Sequence, residues 1–172
     1  MTDALKPCGD CTACCEGWLA DASLGMYPGK HCTNLENGEC TIYVERPEHP
    51  CRSFNCMWRK TPFLTEEMRP DKCGAIVVAT KIADWPLLQV VPMGEARPPE
   101  AVLHRAMLMA ARAQIPVAEV SREDDGSVNQ TIYGPPAFTE AVKGMEFDAN
   151  ITVPTETAGD ESTAGQIIAS LR

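Results

Sequence analysis

The segment CGDCTACC, residues 8–15, carries four cysteines in eight positions and decides how the first third of the chain folds. Four more cysteines follow before residue 57, in a region with many turn residues and few long apolar runs. Such a segment cannot bury enough apolar surface to offset its chain entropy. A structural zinc site contributes about 10–16 kcal/mol, which is as much as the stability of a typical domain. We therefore predict that eight cysteines bind metal: Cys8, Cys11, Cys14, Cys15, Cys32, Cys40, Cys51 and Cys56.

The spacing of the cysteines indicates the kind of metal. Two thiolates separated by two residues, such as Cys8 and Cys11, can reach one ion from a tight turn, and eight thiols suffice for two tetrahedral sites. Zinc is the favoured metal because it accepts ligands from scattered loops. An iron–sulfur cluster is the alternative, because Cys8, Cys11 and Cys14 have the spacing of three corners of a bacterial ferredoxin cluster. Cys15 breaks the rest of that pattern by following Cys14 directly.

The redox state of the thiols is a separate question. A disulfide framework needs an oxidising compartment, whereas residues 1–7 lack the features of a secretory signal and nine cysteines is an odd number. We therefore expect reduced thiols and a cytoplasmic protein. Cys73 lies outside the cluster, and we expect it to be a free or packed thiol. A third hypothesis is thiol exchange at Cys8 and Cys11, which requires an exposed thiolate pair of low pKa.

Other side chains near the cysteines allow further predictions. Arg46, Arg52 and Arg59 lie among the last cysteines, where they either donate hydrogen bonds to sulfur or remain solvated. His31 and His49 are not expected to be ligands, because enough sulfur atoms are present. We expect four aromatic residues to form an apolar shell around the sites: Trp18, Tyr43, Phe54 and Trp58.

Composition limits the partners. The 172 residues include 24 acids and 15 Lys and Arg, for a net charge of −9, which argues against a nucleic acid partner. No run approaches the ~20 apolar residues that span a bilayer. We therefore expect another protein as the partner and no membrane association, with the oligomeric state left open. Phosphate-binding loops, nucleophile elbows and zinc-protease motifs are all missing from the sequence, so catalytic residues cannot be named.

We predict an α+β fold in three parts. An irregular cysteine-rich metal-binding region, residues 1–60, packs on a small β-sheet with one main helix, residues 61–150, and a flexible acidic tail, residues 151–172, follows. Short runs rich in β-branched residues, bounded by Pro, Gly or turn residues, predict the strands. Pro at the start and Pro116 beyond the end bracket the helix. The predicted elements are strands at 75–79, 87–91, 117–121 and 128–133, a helix from 98 to 114, and a short second helix within 135–143.

The cysteine pattern also resembles a known family. Cys8-x2-Cys11-x2-Cys14-Cys15 is followed by Cys32, by Gly38-x-Cys40-x2-Tyr43-x2-Arg46-Pro47, and by Cys51-x2-Phe54-x-Cys56. This arrangement is similar to that of the YkgJ-type cysteine-cluster family, which is described as zinc- or iron-chelating and includes the flagellin lysine N-methylase. The resemblance covers about a third of the chain and implies metal chelation through the same eight cysteines. It leaves open an accessory metal-binding protein or an iron–sulfur enzyme of redox or methyl-transfer chemistry.

Overall fold

The computed structural model describes residues 5–16, 21–26 and 30–154, and these residues have the predicted α+β architecture. The strands are β1 (Leu35–Glu36), β2 (Glu39–Cys40), β3 (Ala75–Ile82), β4 (Trp85–Pro92), β5 (Val117–Arg122), β6 (Val128–Tyr133) and β7 (Ile151–Thr152). The helices are α1 (Met57–Lys60), α2 (Pro70–Cys73), α3 (Glu100–Ala113) and α4 (Pro136–Ala141). Single 3₁₀ turns lie at Ala13–Cys15, Ala22–Leu24 and Glu66–Met68, and a π-type turn lies at Glu48–Arg52.

The main sheet has the strand order β3-β4-β5-β6-β7. Strands β3 and β4 form an antiparallel hairpin, closed by Ala83 and Asp84 with φ angles of 44° and 64°. Positive φ at both turn residues is the geometry that suits the twist of a two-residue hairpin. Strands β4 and β5 pair in parallel. Parallel neighbours need a crossover connection, and helix α3 provides it. The predicted order β-β-α-β-β is confirmed.

Each face of the sheet is covered by apolar side chains. Helix α3 packs Val102, Ala106 and Met107 against Leu88 and Val90 on one face. This burial accounts for the helix, whose apolar residues recur at helical spacing.

On the other face, α4 places the fully buried Phe138 against strands β4, β5 and β6. The Phe138 ring meets that of Trp85 edge to face, with centroids 5.6 Å apart. Gly134 permits this packing, because a Cβ at that position would lie 2.2 Å from Cδ1 of Phe138.

The cysteine-rich region packs on the β3 end of the sheet. Ile76 points to the face opposite Ala75, as alternation along a strand requires, and it is 2% exposed. It belongs to an apolar cluster with Ala13, Cys56 and Trp58, to which we refer as the docking cluster. The N-terminal region and the sheet thus share a core through this cluster.

The sheet extends into the segment that the sequence assigns to the tail. Ile151–Thr152 forms β7, which pairs in parallel with β6. Ile151 and Val153 also pack against the Phe138 cluster, so apolar burial holds this segment. The boundary predicted at residue 151 was therefore too early, and residues 155–172 lie outside the described part of the chain. Among the described residues, no helix has the length and apolar character needed to cross a bilayer.

Candidate metal centre

Four of the predicted ligands form a first thiol group, which we define as Cys8, Cys11, Cys14 and Cys56. The N–H of Cys11 donates to the carbonyl of Cys8 at 3.2 Å, which makes the tight turn expected of this pair. Cys11 and Cys14 pack against Cys56 in the docking cluster. Charges on Cys8 and Cys11 contribute to the raised pKa of the Cys14 thiol, after its hydrogen bond with Cys15 and its burial. The first group therefore lies against the sheet.

The remaining four form a second thiol group, which we define as Cys15, Cys32, Cys40 and Cys51. Buried Cys32 packs with Cys15 and Cys51 beside Leu24 and Met26. Burial raises the pKa of the Cys51 thiol, and negative charge on Cys15, Cys32 and Cys40 raises it further. Apolar packing thus places Cys11, Cys14 and Cys56 in one cluster and Cys15, Cys32 and Cys51 in another. Cys8 and Cys40 are assigned by charge effects on Cys14, Cys56 and Cys51, and the charge on Cys15 also raises the pKa of Cys14 across the two groups.

The two groups meet at Cys14 and Cys15. These residues are consecutive in the 3₁₀ turn Ala13–Cys15, and their Sγ atoms are 4.0 Å apart. Successive residues of a 3₁₀ helix, at three per turn, point about 120° apart, which directs neighbouring thiols to different sides. The two thiols share a hydrogen bond in which either sulfur could be the donor, and this bond lowers the pKa of Cys15 to about 7 and raises that of Cys14.

Nitrogen donors face several of the sulfur atoms. The backbone N–H of Asn34 lies 3.4 Å from Sγ of Cys32, and its side-chain amide lies 3.8 Å away. Burial raises the pKa of Cys11 to about 11 and also raises that of Cys56, whereas the N–H of Ala13 lowers the first and the N–H groups of Arg59 and Trp58 lower the second. The donors of Asn34, Ala13 and Trp58 lie two residues after their cysteines, and that of Arg59 lies three residues after. Such donors stabilise thiolate charge, and they orient sulfur ligands in metal sites.

A buried arginine ties the first group to the rest of the chain. Arg69 is 9% exposed and donates to both carboxylate oxygens of Asp71 at 2.6 and 2.7 Å. Its Nη2 also lies 2.9 Å from Asp10, in the turn between Cys8 and Cys11. The Asp71 carboxylate contacts the Cys11 thiol, and this hydrogen bond contributes to the lowered pKa of Asp71, after the larger effect of Arg69.

The role of Asp71 was not predicted from the sequence. It lies 60 positions from Cys11 and only the fold brings the two together. The only sequence signal for this role is the pair of opposite charges Arg69-x-Asp71 after the cysteine region, and that signal is weak.

Of the two alternatives for the arginines, donation to sulfur is not found among the described residues, where all three donate to oxygen atoms. Arg52 donates to the carbonyls of Arg46 and Val44, at 2.9 Å each. Arg59 donates to the carbonyl of Lys6 at 2.8 Å and to the side chain of Asn55 at 2.6 Å. The arginine effect on sulfur is long-range, because the charges of Arg46 and Arg59 contribute small lowering effects to the pKa values of Cys51 and Cys56.

The predicted aromatic shell is half right. Trp58 is 7% exposed in the docking cluster, and Phe54 packs beside it. Tyr43 is 55% exposed, and its ring stacks instead against the guanidinium of Arg46 at 3.9 Å. Trp18 lies outside the described residues.

The remaining candidate side chains are the two histidines and Cys73, and charge on Cys56 contributes to the raised pKa of Cys73, after burial and the charge of Asp71. His31 is exposed, and His49 shares a hydrogen bond of 3.0 Å with Ser53. Cys73 is half-buried and packs beneath α3, with its Sγ 3.2 Å from the carbonyl oxygen of Ala75.

The thiols lie close together without forming a finished coordination site. All nine cysteines belong to the described residues, and none is disulfide-bonded. Within residues 5–16, 21–26 and 30–154, no set of three or more Cys, His, Asp or Glu side chains is arranged to hold a metal ion. The donor chemistry fits zinc or an iron–sulfur cluster, since both take four thiolates.

Comparison with known proteins adds no relative. The chain matches no protein-family model, no curated protein and no solved structure. The similarity of its cysteine spacing to the YkgJ-type family therefore stays a prediction.

Proposed function

We propose that the protein is a zinc-binding protein with two sites of four thiolates each. The first thiol group holds one ion and the second group holds the other. The observation that carries this proposal is that apolar packing separates Cys11, Cys14 and Cys56 from Cys15, Cys32 and Cys51. Charge effects on Cys14, Cys56 and Cys51 add Cys8 to the first set and Cys40 to the second. The function is accessory or structural, because four protein ligands leave a tetrahedral ion no open position for a substrate.

The proposal includes the setting in which the protein works. Thiolate ligands must stay reduced, which suits the cytoplasm. A net charge of −9 favours another protein as the partner over nucleic acid. The YkgJ-type spacing is consistent with chelation by these same eight cysteines.

An iron–sulfur enzyme is the second candidate, and one observation favours it. Cys8, Cys11 and Cys14 have ferredoxin-like spacing, and Cys56 packs in the same cluster as the remote fourth thiol. A four-iron cluster in the first group would support redox or methyl-transfer chemistry, as the likeness to the family of flagellin lysine N-methylase suggests.

Elemental analysis of anaerobically purified protein, together with a visible spectrum, separates these functions. We expect colourless protein with about two zinc ions per chain. Cys40→Ser removes one ligand of the second group and lowers the zinc content towards one. Cys73→Ser is the matched control, since that thiol lies outside both groups and both ions should remain.

Two outcomes would count against zinc. Brown protein with iron and acid-labile sulfide would establish the iron–sulfur candidate instead. Protein that stays fully folded and contains neither zinc nor iron would rule out both candidates.

A further inference from the structure

We infer that residues 36–48 bind a basic segment of a partner protein, one that presents an apolar side chain between Lys or Arg residues. The inference rests on the proposed function only in taking another protein as the partner, and it does not depend on zinc. It adds the surface and the chemistry of that partner. We define the acidic loop surface as six exposed side chains: Tyr43, Val44, Glu36, Glu39, Glu45 and Glu48.

Two neighbouring apolar side chains are exposed on the loop between Cys40 and Cys51. Val44 is 83% exposed and Tyr43 is 55% exposed. Single exposed apolar residues are normal on protein surfaces, whereas contiguous ones rimmed by polar groups are typical of interaction sites. Tyrosine is also enriched among the residues that dominate binding energy at interfaces. This pair therefore forms the apolar centre of the acidic loop surface.

The loop is ordered by its own hydrogen bonds. Arg52 donates to the carbonyls of Val44 and Arg46, at 2.9 Å each. The guanidinium of Arg46 stacks on the Tyr43 ring at 3.9 Å and also donates to the carbonyl of Tyr43. A surface that is held in place in this way loses little conformational freedom when a partner binds, and the saving appears as affinity.

The carboxylates of the surface have no cations of their own. Glu36 and Glu39 face each other across the hairpin of β1 and β2, where like charges destabilise each other. Glu45 and Glu48 flank Arg46 in the sequence and are exposed. In the part of the chain that the structure describes, none of these four carboxylates forms an ion pair.

The balance of charge selects the sign of the partner. The four carboxylates outnumber the guanidinium groups of Arg46 and Arg52, which donate to carbonyls of the loop itself. The whole chain has a net charge of −9, so its long-range field also attracts cations. Basic residues of a partner relieve the repulsion within the hairpin, and an apolar residue between them covers the apolar centre. An acidic segment would be repelled.

The test screens a random-peptide phage library against the full chain, purified anaerobically under reducing conditions. We expect the recovered peptides to combine Lys or Arg with an apolar residue and to bind more weakly as salt is added. Val44→Ser removes apolar contact area and should weaken the binding of a recovered peptide by about tenfold. Glu36→Gln/Glu39→Gln removes two charges and should weaken it by about 3- to 10-fold.

Two control variants change exposed side chains outside residues 36–48. Phe63→Ser removes an aromatic side chain that is 76% exposed, and Glu95→Gln/Glu146→Gln removes two exposed charges. Both should bind the recovered peptides within about twofold of the unmodified protein, because neither changes the acidic loop surface. Circular dichroism checks that each variant stays folded.

Several outcomes would overturn the inference. A screen that recovers no peptides, peptides without an excess of basic residues, or equal weakening in the control variants would each do so. Self-association that Val44→Ser abolishes would assign the surface to a second copy of the chain instead. Zinc content is measured on the same preparation: protein that lacks zinc but binds basic peptides at this surface would overturn the zinc sites and leave this inference standing.

Discussion

Replacement of Ile76 by Ala tests whether the cysteine region depends on the sheet. Ile76 is 2% exposed and packs directly against Cys56 and Trp58 in the docking cluster. The substitution removes three carbons at about 0.8 kcal/mol each and leaves a cavity, for a total of about 3 kcal/mol. Zinc binding must then restore the packing of the cysteine region on the sheet, and its free energy is reduced by that cost. A cost of about 3 kcal/mol corresponds to about a hundredfold lower zinc affinity. We expect zinc affinity to fall by about 10- to 100-fold.

Ile132→Ala is the matched control for this prediction. Ile132 is the same residue type, is 1% exposed, and packs under α4 with Leu87 and Phe138, away from the thiols. In urea unfolding of the metal-free protein, Ile132→Ala should lose about 3 kcal/mol, and Ile76→Ala should lose less, because part of its cost appears as weaker zinc binding. Ile132→Ala should retain zinc affinity within about twofold under conditions where it remains folded. Equal loss of zinc affinity in both variants would refute the reasoning, because it would reflect general destabilisation.

Three more predictions concern metal, pH and packing. Removal of zinc with a chelator should increase amide hydrogen exchange in residues 32–56. Strands β3 and β4 should stay protected, because the sheet has its own core. An equal increase in exchange across the whole chain would contradict this prediction. The pKa of Tyr133 is raised to about 12 by burial, so the folded state holds its proton more tightly and stability falls as pH rises from 10.0 to about 12. Tyr133→Phe should therefore flatten the fall in the free energy of unfolding with pH, by up to about 1.4 kcal/mol per pH unit, in denaturant titrations at several pH values. An unchanged dependence of that free energy on pH would contradict the prediction. Gly134→Ala should destabilise the protein by about 1–3 kcal/mol, because the new Cβ would clash with the Phe138 ring. A variant that unfolds thermally at the same temperature as the unmodified protein would count against this contact.

The sheet and its main helix could be predicted because their signals are local. The runs at 75–79 and 87–91 are rich in apolar and β-branched residues, and Pro bounds the helix on both sides. The short helices α1 and α2 have four residues each and were missed. Elements of a single turn are marginal on their own and exist because tertiary packing selects them.

The candidate thiols could be listed from the sequence, but their arrangement could not be predicted. Cysteine clustering identifies the eight thiols, whereas their division into groups depends on a 3₁₀ turn that no local pattern marks. For the arginines near Cys51 and Cys56 the sequence left sulfur contacts and solvation open, and in the structure backbone carbonyls take their donors. Asn34 and Asp71 contact sulfur through a turn and through a distant element, and neither can be read from spacing.

The docking of Cys56 on Ile76 has a consequence for biosynthesis. The cysteine-bearing segment leaves the ribosome before the strand against which it packs, and the sheet is complete only when Thr152 has emerged. At about 5–20 residues per second, this delay lasts roughly 5–19 s. During that interval the nascent thiols lack their platform and meet the cell's oxidants and competing metals directly. Under the proposed function, zinc loading of the first group would follow completion of the sheet, and the order of translation would set the order of assembly.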